Sequence, residues 1–152
     1  MTTPIAREWL EAALRDLAQA REHLAFSSGR VSGLRLTADA ATPEGLERVE
    51  AYTSRFARVV DLVVNKVLRA LDRHELAADG TLLDVLHRAE KRGLVASTEE
   101  FRALKEVRNV IAHDYSGAEL AALLDFCRVR EPLLNATCDR IAAYARAQLA
   151  KT

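Results

Sequence analysis

A chain of 152 residues has the length of one domain and can bury a core without disulfide or metal staples. Its 22 Lys and Arg balance 22 Asp and Glu, which argues against a dedicated duplex-binding domain while leaving a local basic cleft open. An apolar fraction of 49% with only 6 Gly and 3 Pro favours helix over strand in an ordinary globular chain. Cys127 and Cys138 fit neither a zinc spacing nor a disulfide framework. Both sit on apolar-periodic segments and read as buried, reduced thiols. There is no charged-then-apolar leader and no run approaching the ~18 apolar residues of a membrane span. The expectation is a cytoplasmic protein with no membrane contact.

The pattern predicts five helices. The first runs from about Pro4 to Phe26, capped by Thr3, with Ile5, Trp9, Ala13, Leu17, Ala20 and Leu24 as its core stripe. Ser27 to Thr42 reads as a loop, and its Arg30 and Arg35 are candidates for touching a partner or RNA. The second helix spans about Pro43 to Leu76, capped by Thr42. Its valine cluster at 59–64 mimics a strand, but lies inside a long helical period without turn residues. Arg48, Arg55, Arg58 and Arg69 follow one another approximately along one face of it, interleaved with Glu47, Glu50 and Asp61. A turn at Ala77 to Gly80 leads to a short third helix, Leu82 to Arg92, begun by Thr81 and stopped by Gly93. Ser97 and Glu100 form a capping box that opens the fourth, Thr98 to about Ala112. The fifth begins near Ala118, and Pro132 kinks or restarts it. Short connections between five helices make an up-and-down all-α bundle.

One stretch stands apart from this scaffold. Arg108-Asn109-Val110-Ile111-Ala112-His113-Asp114-Tyr115 puts a guanidinium, an imidazole and a phenol within eight residues, just before Ser116-Gly117. On a continuous helix Arg108 and His113 would point roughly 140° apart and lie ~7.5 Å apart along the axis. They converge only if the helix ends between them. Such a trio suits chemistry at phosphorus. Arginine is a fixed fork for phosphate oxygens. Histidine moves protons near neutral pH. RNA brings its own nucleophile, the 2′-hydroxyl, so cleavage needs a proton acceptor and a cation rather than a metal. His23, His74 and His87 are scattered without ligand spacing, and neither a metal nor another cofactor is expected. One copy of the motif supplies one His and one Arg, which is sparse for both deprotonating the attacking oxygen and protonating the leaving one. Two copies facing across a two-fold axis supply both roles, so a homodimer is expected.

Arg108-Asn109-x-x-x-His113-x-Tyr115 resembles the R-x4-H-x-Y motif of the HEPN superfamily. Its approach, Leu83-x-x-Leu86-x-x-Ala89, then Gly93-Leu94-Val95 and an acidic helix start, is similar to HepT-like toxins and to nucleotidyltransferase substrate-binding proteins. The likeness is sharp over about Thr81 to Tyr115 and architectural elsewhere. It implies a HEPN-like bundle of four to five helices that dimerises with both motifs lining a shared cleft. It further implies a ribonuclease toxin with Arg108 and His113 as catalytic residues and Asn109 positioning the motif. Tyr115 would be the acceptor of AMP groups attached by a nucleotidyltransferase antitoxin encoded next door. The superfamily also contains members that dock a nucleotidyltransferase or bind nucleotide without cleavage. An accessory module of that kind is the alternative.

Overall fold

The computed structural model describes residues 3–35, 42–111 and 117–151. Its helices are α1 (Pro4–Val31), α2 (Pro43–Leu62), α3 (Arg69–His74), α4 (Leu82–Lys91), α5 (Thr98–Ile111) and α6 (Gly117–Ala150). A π-helical segment, Val63–Leu68, joins α2 to α3, so residues 43–74 form one continuous rod. The fold is thus an all-α up-and-down bundle of five helical rods, the third of them, α4, short. Among the described residues there is no strand.

Contacts at opposite ends set the directions. Arg73 lies over the Trp9 ring, while Arg55 reaches Ser27, so α1 and the rod run antiparallel. Arg7 donates to the carbonyl of Leu149 and Arg128 to that of Val31, making α6 antiparallel to α1. Arg108 meets Asp61 while Ile111 lines the same groove as Ser54, so α5 runs against α2. One apolar core fills the centre, with Leu10, Leu17, Tyr52, Phe56, Leu124 and Leu134 fully buried within it.

Local chemistry sets the helix starts. The hydroxyls of Thr3 and Thr42 accept from the amides of Ala6 at 3.1 Å and Gly45 at 3.0 Å, each followed by proline in the first turn. Ser97 accepts from the Glu100 amide at 3.3 Å, but the complete reciprocal box is at Thr81 and Asp84. There the Thr81 hydroxyl accepts at 3.2 Å and the Asp84 carboxylate accepts from the Thr81 amide at 2.9 Å. The bond from the Thr81 amide, with the Thr81 hydroxyl second, holds the Asp84 carboxyl below the usual carboxylate range.

Three expectations need correction. Helix α1 does not stop at Phe26 but runs to Val31. Ser27 is buried and its hydroxyl accepts from Arg55 at 2.8 Å, so packing on α2 carries the helix through Ser27-Ser28-Gly29. The stop comes at Gly33, whose φ of 81° suits glycine. Second, Trp9 is 52% exposed and Ile5 58%. The core stripe enters instead through Ala6 and Leu10, and the outward indole lies under the Arg73 guanidinium at 5.1 Å. Third, α6 passes through Pro132 as one helix, so of the two expected outcomes, kink or restart, the restart does not occur.

The rod ends at His74, two residues before the expected Leu76. Leu76 itself adopts φ 62°, with the Ala77 amide bonded to the Asp72 carbonyl at 2.8 Å and the Leu76 amide to that of Arg73 at 3.1 Å. The pattern recurs at Gly93, φ 75°, where the Leu94 amide meets the Ala89 carbonyl at 2.9 Å. Glycine adopts this left-handed cap freely and leucine at a cost. The Leu76 side chain is 62% exposed and contributes little packing. Leu76→Gly is therefore expected to stabilise the protein by about 0.5–1 kcal/mol in urea unfolding; a loss of stability would show that the side chain matters more than the strain.

Beside that cap lies a buried ion-pair network. Asp72, 4% exposed, meets Arg88 Nη1 and Arg92 Nη1, each at 2.8 Å. Arg92 continues to Glu75 at 2.8 Å, and the Tyr144 hydroxyl donates to Glu75 at 2.6 Å. Residues of the rod, of α4, of the turn after it and of α6 are thereby tied at one end of the bundle.

Candidate functional site

Ser54, Ala57, Arg58 and Asp61 recur at helical spacing and so share one face of α2. Opposite them on α5 stand Arg108 and Ile111. Together these six line a groove of about 270 Å³. Arg108 is anchored there: its Nη1 lies 2.9 Å from Asp61 Oδ2. Asp61 also accepts from Asn65 Nδ2 at 2.8 Å and has Lys105 Nζ at 3.7 Å. The Arg108 side chain remains 67% exposed. A guanidinium held on one edge and open on the others is oriented without being consumed, and its free donors can meet an anion. Arg58 is exposed on the same groove and has no ion pair or hydrogen bond among the described residues.

Of the motif residues, Arg108 therefore lies on a groove. Asn109 lies outside that groove: its amide donates to Glu106 at 3.0 Å on its own helix. His113, Asp114 and Tyr115 fall outside the described residues, as does the expected convergence of His113 with Arg108. The basic face expected along the second helix is dispersed by its neighbours. Arg55 turns to α1 and Arg58 to α5. Arg69 donates to the Gly80 carbonyl at 2.9 Å.

Sequence reasoning placed Arg58 only on the basic face of the second helix, as a candidate RNA contact, and passed over Asp61 as a site member. The available signal was a lone carboxylate in a valine-rich helical stretch, one turn after an arginine.

The thiols offer no competing chemistry. Burial pushes Cys127 up to about 12 and Cys138 up to about 11, so both stay protonated and poor as nucleophiles at neutral pH. Among the described residues no helix is long and apolar enough to cross a membrane.

Fold and groove together define a helical bundle with an exposed, oriented arginine in a cationic cleft. No protein-family model, no curated protein and no solved structure matches the chain.

Proposed function

We propose that the protein is a metal-independent endoribonuclease toxin controlled by a partner nucleotidyltransferase. The observation that carries this reading is Arg108: the first residue of the R-x4-H-x-Y pattern lies on a groove, two-thirds exposed, oriented by Asp61 and joined by Arg58. In the proposed reaction His113 takes the proton of a 2′-hydroxyl. That oxygen attacks the adjacent phosphorus, and the bond to the 5′-oxygen breaks. The leaving oxygen takes a proton from the second copy's imidazole, leaving a 2′,3′-cyclic phosphate and a 5′-hydroxyl. Arg108 faces the charge that builds on the phosphoryl oxygens, and Arg58 holds the phosphate alike before and during the step.

The acid role requires two copies. An apolar groove of about 420 Å³ borders another face of α5, lined by Val107, Val110, Leu123 and Phe126 among others. Val110 is 40% exposed. A second copy of the chain seated there buries this surface and brings two motif helices together. Val110→Asp is expected to convert the dimer to monomer in light scattering; a wild-type monomer at micromolar concentration would remove the shared-cleft mechanism.

Control is proposed at Tyr115. AMP transferred from ATP to its hydroxyl, with pyrophosphate released, places an anion where Arg108 would otherwise meet substrate. Expression alone is expected to degrade cellular RNA and arrest growth, and co-expression of a neighbouring nucleotidyltransferase to suppress both. Tyr115→Phe keeps the ring but removes the acceptor. It is expected to remain toxic, to resist suppression and to gain no AMP by intact-mass spectrometry. Wild-type amounts of AMP on that variant would move the acceptor elsewhere.

Neutral net charge and the partial neutralisation of Arg108 by Asp61 favour a second reading, an accessory module that docks the nucleotidyltransferase without cleavage. RNA left intact by wild type, together with a stable complex with the transferase, would select it.

A further inference from the structure

A second groove lies across α2 from the first. It is about 200 Å³ and is formed between the end of α1 and the start of α2, with Phe26, Arg30, Arg48 and Arg55 among its lining residues. Phe26 is the feature that calls for explanation. It is 64% exposed on a helix whose other face is fully packed. Two guanidiniums flank it, Arg30 at 5.9 Å and Arg55 at 6.0 Å from the ring centre. Arg55 is fixed by donating to the buried Ser27 hydroxyl at 2.8 Å. Arg48 makes no hydrogen bond or ion pair among the described residues, and its Nε is buried without an acceptor. A buried donor left over in this way marks a place where a further acceptor belongs. Glu44 and Glu47 share the groove, so its charge is three cations against two carboxylates.

We infer that Phe26 is a stacking platform for an unpaired base of a single-stranded RNA, with Arg30, Arg48 and Arg55 contacting the phosphates on either side. An aromatic face bordered by arginines is what sequence-tolerant single-strand binding uses. A chain with no net charge gains little from counterion release over its whole surface, so a stacked base supplies affinity that its electrostatics do not. Position supports the same occupant. Ala51 and Arg55 line this groove, whereas Ser54 and Arg58 line the one that holds Arg108. The two sets lie within about one helical turn of each other on α2. One strand crossing α2 therefore meets both grooves in succession. The inference rests on the ribonuclease reading for its substrate class and extends it to a site away from the reacting phosphate.

The test uses the full-length protein and a short fluorescein-labelled 2′-O-methyl RNA. That probe has no 2′-hydroxyl to attack, so binding is read by anisotropy without cleavage. Wild type is expected to bind the single strand better than its duplex. Phe26→Ala should weaken binding about tenfold while Phe26→Tyr keeps it, with unchanged thermal unfolding in both. Arg30→Gln combined with Arg48→Gln should reduce the slope of affinity against salt. Equal binding by Phe26→Ala and wild type overturns the platform, leaving a protein contact as the occupant, and so does a wild type that binds no single strand. If wild type binds through Phe26 yet leaves unmodified RNA intact, the platform stands and the ribonuclease reading falls. If it cleaves RNA while Phe26→Ala binds normally, the reverse holds.

Discussion

Arg108→Ala is expected to lower the rate of RNA cleavage by about two to three orders of magnitude, and His113→Ala by a comparable or larger factor, about 10²–10⁴. The Arg108→Ala loss should not come from unfolding. The Arg108 side chain is two-thirds exposed, and its one ion pair among the described residues, to Asp61, lies near the surface. Removing such a pair costs no more than about 1 kcal/mol. The melting temperature should therefore stay near that of wild type while cleavage collapses. Arg108→Lys keeps the charge but loses the planar fork, and should recover only a small part of the rate. Arg58→Gln should mainly raise the RNA concentration needed for half-maximal rate, as a cation that meets substrate and transition state alike would. The measurement is the rate of cyclic-phosphate formation on a defined single-stranded RNA. An Arg108→Ala variant that cleaves like wild type removes Arg108 from the chemistry.

The largest effect on stability is expected at Asp72. Its carboxylate is almost fully buried and faces two guanidiniums, Arg88 and Arg92, at 2.8 Å each. Asp72→Ala leaves both cations without their shared counter-ion, Arg92 being only 14% exposed. Breaking a buried pair from one side typically costs about 3–5 kcal/mol, because the remaining charge stays desolvated. That is a large share of the ~5–15 kcal/mol by which such domains are stable. Arg92 retains Glu75 at 2.8 Å, which limits the loss. Asp72→Asn keeps an acceptor and should cost less than Asp72→Ala. Urea unfolding followed by circular dichroism reads the difference. A change below 1 kcal/mol for Asp72→Ala would mean that the network contributes specificity rather than stability.

The helix starts were legible in the sequence because their causes are local. Thr3, Thr42, Thr81 and Ser97 each bond an amide three residues on. The glycine stop at Gly93 has the same locality. What failed was set by partners. Ile5–Trp9 and Ala6–Leu10 both continue the stripe through Ala13 and Leu17, and only the position of the neighbouring helices decides which pair is covered. The run Ser27-Ser28-Gly29 reads as a break until Arg55, 28 residues away, occupies the Ser27 hydroxyl. The candidate site shows the same division. Arg108 is visible in a short pattern. Asp61 and Arg58 become its neighbours only when α2 and α5 pack side by side.

The π-helical segment Val63–Leu68 gives the rod a built-in phase offset. Each residue of an α-helix turns the side chain by about 100°, and a π turn accommodates one extra residue without breaking the rod. The part before it presents Arg58 and Asp61 to α5. The part after it presents Asp72 to Arg88 and Arg92. Winding the same residues as regular α-helix, with none deleted, would improve the segment's own hydrogen bonding, yet would rotate one end against the other by about a quarter turn. The cleft and the ion-pair network could not then both be aligned. The wide turn is therefore the gearing between a functional end and a structural end of the same helix.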